Sequence, residues 1–373
     1  MNDKKINKTA HKLRVLVAPL DWGLGHATRC IPIIQLLISR NIEVIIAADG
    51  AGASLLTKEF PSLTILPLKG YKITYGTQKN WFFIKMLLQF PKIAAVIKYE
   101  KNWLKNVVKD HQLDAVISDN RFGLQHTGII SIYITHQLFI ETGNIILDKI
   151  AQKIHYRFIN RYDECWVPDA EGNINLAGKL SHPEIKPQVP VKYLGSLSRF
   201  KKVDIPKEND LLIMLSGPEP QRTIFESILL KQIKQLDLLT VIVRGLPAEK
   251  EEVIIFEGGI KMFNHLPAEK LAILIQQSDL ILARAGYSTI MDLVALGKIA
   301  VLVPTPGQTE QEYLAKYLKD KKLFFTADQH NFLLKEVLDE VAAFNFTQVV
   351  ALPSTLKKQI DELLEKINIK ASQ

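Results

Sequence analysis

Short apolar runs alternate with stretches of helical spacing along the first 200 residues. Residues 13–19 (LRVLVAP), 43–48 (EVIIAA), 63–67, 114–118 (DAVIS), 129–134 and 164–167 read as buried strands. Residues 30–39 carry a helical pattern, and helical stretches separate several of the other strands. The pattern then restarts. Residues 211–215 (LLIML), 239–244, 279–283 and 299–303 read as strands, with helices from about Gln221 and near Ser288. Near-continuous apolar strands joined by helices predict βαβ units around parallel sheets. The expected fold class is α/β, with two Rossmann-like doubly wound domains facing a cleft. The last helix, over residues 356–369, has apolar positions at Ile360, Leu363, Leu364 and Ile367 and is expected to pack back on the N-terminal domain. A polar stretch at 195–209 (GSLSRFKKVDIPKEN) separates the halves, giving an N-terminal domain 1–197 and a C-terminal domain 198–373.

Composition narrows the class. At 373 residues with 47% hydrophobic and 23% charged positions, the chain is long enough for two cores. Two cysteines, Cys30 and Cys165, are too few for a disulfide scaffold, and the polar first twelve residues contain no apolar signal region. A cytoplasmic protein with reduced thiols is the expectation. The net charge of +8 suggests an anionic partner. Its distribution is more informative. Residues 1–200 hold 26 basic and 16 acidic side chains, a net of +10, whereas the remaining 21 basic and 23 acidic side chains give −2.

Ligands of doubly wound sheets bind outside the carboxyl ends of the strands. The loop after the first strand reads DWGLGHATR over residues 21–29. Gly23 and Gly25 permit a tight turn and close approach to a ligand. The third glycine of a dinucleotide fingerprint is missing. His26, beside a helix N-terminus, is disfavoured as imidazolium and suited to accept a proton. A capping or packing histidine is the plainer alternative. Asp119 and Arg121 follow the 114–118 strand, and His136 follows the 129–134 strand. Asp119 is a rival base, or a carboxylate that orients His26.

In the second half, Arg284, Gly286, Ser288 and Thr289 lie where a strand gives way to a helix, a geometry that suits a diphosphate. Asp292 lies one turn on and can reach a ribose diol or simply complement the helix dipole. The loop VPTPGQTEQEY offers Gln308, Glu310 and Gln311, a mixture of donors and acceptors that sugar hydroxyls require. Thr309 with Glu312 reads there as a capping box.

Together these motifs resemble GT-B glycosyltransferases, in the branch of family 28 with the MurG-like UDP-sugar transferases and the plant galactolipid synthases. The resemblance runs from about residue 13 to 364. It is strongest over 263–315 and 23–29, and weak between 69 and 161. It implies that the C-terminal domain holds a UDP-sugar. Asn264, His265 and Leu266 would flank the uracil. Gly286, Ser288 and Thr289 would contact the diphosphate, with Ser216 and Gly217 against the phosphates. Asp292 would take the ribose, where the family usually has Glu. Gln311, Glu310 and Gln308 would surround the donor sugar. His26 matches the family's N-terminal loop histidine, and the acceptor would sit by Gly23, Gly25, Arg121 and His136.

The sequence departs from the family at Asp21-Trp22, at Ala315 in place of an asparagine, and at the two prolines of the SGPEPQR turn. The MurG reaction itself is therefore not expected. The resemblance implies an inverting transfer from a UDP-sugar, UDP-N-acetylglucosamine or another UDP-hexose, to a lipid or lipid-linked acceptor. No metal and no cofactor are expected, with Arg222 or Arg284 offsetting the leaving diphosphate. A nucleotide-sugar epimerase or hydrolase of the same fold, a non-catalytic sugar-nucleotide-binding partner, and a basic nucleic-acid binder are the alternatives. No nucleic-acid module is recognised. Between 79 and 109 the chain holds seven lysines against one acid, Glu100, interleaved with Trp81, Phe82, Phe83, Phe90, Tyr99 and Trp103. This suits an anionic membrane surface and a peripheral position on its inner face, or else a core helix with solvated lysines.

Overall fold

The structure is a computed structural model. It describes residues 12–71, 79–246, 253–255, 260–348 and 351–371, with backbone alone for 79–90, 253–255 and 371. The first sheet has seven parallel strands: β1 (Arg14–Pro19), β2 (Glu43–Ala48), β3 (Thr64–Pro67), β4 (Ala115–Asp119), β5 (Ile130–Ile134), β6 (Glu164–Val167) and β7 (Val191–Tyr193). Their spatial order is β3-β2-β1-β4-β5-β6-β7. Helices α1 (Gly25–Ser39), α2 (Gly50–Glu59), α3 (Lys79–His111) and α4 (Ile145–Ile159) connect them. Strands such as β4 and β5 are buried at every position, which is why their sequences are apolar without alternation.

The second sheet repeats the plan with β8 (Asn209–Met214), β9 (Thr240–Val243), β10 (Val253–Ile255), β11 (Lys261–Phe263), β12 (Ser278–Ala283), β13 (Ala300–Leu302) and β14 (Phe325–Thr326). Its order is β10-β11-β9-β8-β12-β13-β14, with the β10–β11 pair antiparallel. Helices α5 (Gln221–Ile233), α6 (Ala268–Gln277), α7 (Tyr287–Leu296), α8 (Thr309–Asp320) and α9 (Leu334–Ala342) accompany it, and α10 (Leu356–Ala371) ends the described chain. The expected α/β fold with two Rossmann-like sheets is the observed one.

Strand order places the site. In each sheet the order reverses between two adjacent strands, β1/β4 and β8/β12, and a crevice opens outside their carboxyl ends. The strand ends and the segments just after them hold His26 and Asp119 on one side and Ser216 and Arg284 on the other. One apolar cluster runs through both halves. It joins Ile31 and Ile34 of α1 to Tyr287, Ile290 and Met291 of α7.

The connection at 195–209 is tied down along its length. Ser196 and Ser198 bond to Met291 and Asp292 of α7, and the Val203 amide donates to Gln276 of α6. As expected, α10 returns to the N-terminal sheet. Asp361 accepts from Arg40, the C-cap of α1, at 2.8 and 3.0 Å, and Lys366 pairs with Glu164 of β6.

Three features differ from the sequence expectation. Helix α1 begins at Gly25, five residues before the apolar pattern, because the Thr28 amide already donates to the Leu24 carbonyl. Strands β7, β10, β11 and β14 are two or three residues long and sit toward the sheet edges, too short for a periodic signal. The N-cap position of α8 is Gln308 rather than Thr309, with no side-chain cap bond, and Glu312 accepts from the Gly307 amide.

Candidate active site

The N-terminal wall is built on α1 and β4. His26 stands in the first turn of α1, whose N-cap, Leu24, supplies no side-chain bond. Asp119 is the last residue of β4 and is fully buried. Between them lies Arg29, one turn beyond His26 and 2% exposed. Its Nε donates to Asp119 Oδ2 at 2.7 Å, and its Nη2 reaches Oδ1, a forked pairing. His26 Nδ1 is 3.2 Å from Asp119 Oδ2 and 2.8 Å from Arg29 Nη2. It therefore faces a carboxylate acceptor and a guanidinium donor at once.

The network continues. Arg29 Nη1 donates to His136 Nδ1 at 3.1 Å, so His136 carries its proton on Nε2 and donates to Glu310 Oε1 of α8 at 2.7 Å. The His136 ring stacks on Tyr287 of α7, centroids 4.1 Å apart. One chain of polar contacts thus runs from His26 through Asp119, Arg29 and His136 to Glu310, from one sheet to the other.

Electrostatics assigns different states to these groups. Burial, reinforced by Arg29, lowers the His26 pKa below its ordinary 6.5, while Asp119 opposes the shift. The imidazole is neutral. Burial alone would raise Asp119, but Arg29 and His26 outweigh it and hold the carboxyl well below its usual range. Glu310 is likewise held low, against burial, by His136. The thiol of Cys30, 3.8 Å from Asp119, is pushed up by burial and by that carboxylate, and stays protonated.

Other contacts close the two walls. Ser288 Oγ donates to the Gly25 carbonyl at 3.0 Å, Tyr287 Oη to the Pro168 carbonyl at 2.7 Å, and Thr309 Oγ1 to the Glu141 carbonyl at 2.9 Å. A Cβ at Gly25 would lie 2.7 Å from Ser288 Oγ, so the approach needs a residue without a side chain.

The C-terminal wall is made differently. Helix α7 starts at Tyr287 with Gly286 as its N-cap and no side-chain cap bond, leaving the first-turn amides of Tyr287, Ser288 and Thr289 for a ligand. Gly217, in the turn after β8, has φ of +101°, and a Cβ there would meet Thr305 Oγ1 at 3.4 Å. Thr305 is 1% exposed and its hydroxyl has no hydrogen-bond partner among the described residues. Gln311 accepts from the Thr305 amide and donates to Gln308, so these two amides brace the loop. Asn264 accepts from Arg244 at 2.9 Å, and the neighbouring His265 Nδ1 is buried without a partner among the described residues. Leu266 packs on the shared apolar cluster.

Three sequence candidates are buried and bonded to other parts of the fold. Arg121 is fully buried, pairs with Glu100 at 2.9 Å and donates to the Pro19, Leu68 and Lys69 carbonyls. It knits β1, α3 and β4 together rather than lining the acceptor side. Arg222 is bound to Glu219 and Glu226. Arg284 is 1% exposed, lies over the Phe225 ring and donates to the Gln221, Val303 and Pro304 carbonyls. Arg222 is neutralised by its two glutamates, whereas Arg284 has only carbonyl acceptors and its buried Nε has no hydrogen-bond partner among the described residues. Asp292 accepts from Ser198 Oγ at 2.6 Å, and burial raises its pKa to about 6.

Two contributors were not read from the sequence. Arg29 was hidden because the helix was expected to begin at Cys30. With the start at Gly25, its spacing of three from His26 is the signal. Thr305 sits between two prolines that read as loop stiffeners. The described part of the 79–109 segment is a helix whose Tyr99 and Trp103 pack inward, with Lys92, Lys98, Lys101, Lys105 and Lys109 outside. The side chains of Trp81, Phe82, Phe83 and Phe90 lie outside the described residues. Among the described residues, no helix is long and apolar enough to cross a membrane, and no group of three or more His, Cys, Asp or Glu is placed to hold a metal.

Residues 229–345 match the glycosyltransferase family 28 C-terminal domain. Over 96% of its length the chain is 23% identical to an uncharacterized glycosyltransferase of Methanosarcina acetivorans, covering all of that protein. It is also 23% identical, over 87% of its length and 94% of the relative, to a UDP-N-acetylglucosamine–N-acetylmuramyl-(pentapeptide) pyrophosphoryl-undecaprenol N-acetylglucosamine transferase of Rickettsia akari. Among solved structures it resembles the spinosyn rhamnosyltransferase SpnG complexed with thymidine diphosphate, with a TM-score of 0.59, 14% identity and 96% of each chain covered. That structural likeness concerns the fold. Two facing doubly wound sheets, the family 28 match on the second of them, and likeness to these relatives over most of its length make the chain a glycosyltransferase of the GT-B fold, similar to the MurG-like members of family 28.

Proposed function

We propose that the protein transfers a sugar from a UDP-sugar, UDP-N-acetylglucosamine or another UDP-hexose, to a hydroxyl of a lipid or lipid-linked glycan, with inversion. The observation that carries this is the His26–Asp119–Arg29 group, set at the carboxyl ends of β1 and β4 and facing the open N-terminus of α7. The base role needs the Nδ1–H tautomer, in which His26 gives up the Arg29 Nη2 bond at Nδ1, donates to Asp119 Oδ2 and keeps the Nε2 lone pair for the acceptor hydroxyl. The acceptor oxygen gives its proton to Nε2 and attacks the anomeric carbon from the face opposite UDP. The bond from that carbon to the β-phosphate oxygen breaks, and its electron pair leaves with UDP. Asp119 acts here as the group that orients His26. Its strongly lowered pKa leaves it little basicity of its own.

The leaving diphosphate lies at the N-terminus of α7, where the Tyr287, Ser288 and Thr289 amides and the unpartnered Thr305 hydroxyl can bond it. Gly217 leaves room beside Thr305. The uracil would lie by Asn264, His265 and Leu266, the ribose by Asp292, and the sugar by Gln308, Glu310 and Gln311. Glu310 would exchange His136 for sugar hydroxyls on binding. No resident metal or cofactor forms part of this reading. The relative from Rickettsia akari acts on an undecaprenol-linked substrate by its name. A comparable acceptor, met at the inner face of an anionic membrane, suits the +10 charge of the first 200 residues and the lysines of 79–109.

The test is UDP release from a panel of UDP-sugars with and without a lipid extract. Release that needs lipid supports transfer. Release without lipid would mean a hydrolase or epimerase, and binding without release a non-catalytic partner.

A further inference from the structure

Helix α4 displays an apolar face that none of the described residues covers. Ile145, Ile146, Ile150 and Ile154 are 76%, 70%, 48% and 43% exposed. Among the described residues no other helix carries more than one exposed large apolar side chain, so this is a concentration and not scatter. Ile146, Ile150 and Ile154 are spaced by four and form one line along the helix. Lys149, Lys153 and Arg157, all exposed, form the adjacent line. The only acid of α4, Asp148, is buried and accepts from the Thr142 amide and hydroxyl, both at 2.7 Å. The outer face of the helix is therefore isoleucine and cation alone. Ile185, 69% exposed, borders it, since its carbonyl accepts from Tyr156 Oη at 2.5 Å. Glu184 and Lys186 flank Ile185 and cancel.

We propose that α4 is the docking surface of this protein for an anionic lipid bilayer. The isoleucine line enters the acyl boundary and the basic line meets the headgroups, the arrangement of an in-plane amphipathic helix. A second copy of the chain fits less well. A two-fold pairing through this face would set Lys149, Lys153 and Arg157 against their own copies on both sides. The position of α4 gives the docking a purpose. The segment from His136 to Asn144, the α4 N-cap, is the rim of the cleft, and Thr309 at the start of α8 bonds to Glu141 within it. A protein lying on α4 holds the cleft mouth at the lipid surface. The choice of a lipid acceptor rests on the function proposed above; the docking face rests on α4 itself.

Flotation of the full chain with vesicles, without substrate, tests this. Vesicles of phosphatidylcholine plus phosphatidylglycerol should carry the wild type. The triple change Ile146→Ser, Ile150→Ser, Ile154→Ser should cut binding about tenfold or more with thermal stability unchanged, because all three positions are exposed. Lys149→Gln, Lys153→Gln, Arg157→Gln should remove the preference over pure phosphatidylcholine and the salt sensitivity. Wild-type binding in both variants would overturn the proposal. So would a wild type that ignores vesicles, or a wild-type dimer that the isoleucine variant converts to monomer. UDP release on acceptor dispersed in detergent should be the same in wild type and variants. Its absence in all of them would strike the transfer reading and leave the flotation result standing.

Discussion

The two walls of the cleft solve the same problem, holding charge in a buried place, in opposite ways. The N-terminal wall uses side chains. A carboxylate, a guanidinium and two imidazoles are packed within hydrogen-bond distance, and each fixes the state of the next. The C-terminal wall, whose expected ligand is a dianionic diphosphate, engages its arginines in other bonds. Arg222 is held by Glu219 and Glu226, and Arg284 by backbone carbonyls. Without a partner among the described residues there are the Thr305 hydroxyl, the His265 Nδ1 and the Arg284 Nε, beside the uncapped N-terminus of α7. Charged side chains suit the wall that must move a proton. Fixed backbone dipoles suit the wall that must bind and then release an anion, since they cost no reorganisation. The charge split of the chain, +10 against −2, has the same sense.

The comparison breaks first at Arg29. Arg29→Ala would leave Asp119 buried without its partner, at a cost of about 3–5 kcal/mol. Chemical denaturation should show that loss, and Arg29→Lys should recover only part of it because the fork is gone. An unchanged midpoint would mean the network is not structural. Next comes His26. Its lowered pKa places the acid limb of kcat/KM below the ordinary 6.5, since the base works only when unprotonated. Asp119→Asn should move that limb further down, because the carboxylate is the group that raises it. A limb at or above 6.5 would argue against the buried neutral imidazole.

Effects on the C-terminal wall should be smaller and should fall on donor binding. Thr305→Val should raise the donor KM about five- to tenfold, the worth of one hydrogen bond, with kcat affected less. Asp292→Asn should be the mildest for stability. A carboxyl whose folded pKa is raised from 3.8 to about 6 costs stability that grows as pH rises between those values and is complete above the upper one, so the amide should gain thermal stability over wild type at pH 8 relative to pH 5. Donor KM should still rise if Asp292 takes the ribose.

Much of this was legible in the chain. Buried parallel strands write themselves as apolar runs, so ten of the strands, and with them the strand ends that hold His26, Asp119, Ser216 and Gly286, could be placed. What escaped was information held between distant segments. The partner of Arg121 is Glu100, from a helix on another strand crossing, and no local pattern pairs them. Arg222 and Arg284 read as phosphate ligands because burial and pairing are invisible in one dimension. Arg29 was lost to a boundary error of five residues. The bare face of α4 was lost because exposed and buried isoleucines look alike until the neighbouring elements are known.

The central claim is that His26, held by Asp119 and Arg29, takes the acceptor proton. The direct measurement is His26→Ala in the lipid-dependent UDP-release assay, with kcat and donor KM separated. A fall in kcat of about 10²–10⁴-fold with donor KM and thermal stability near wild type is expected. Turnover at the wild-type rate would remove His26 as the base and contradict the account.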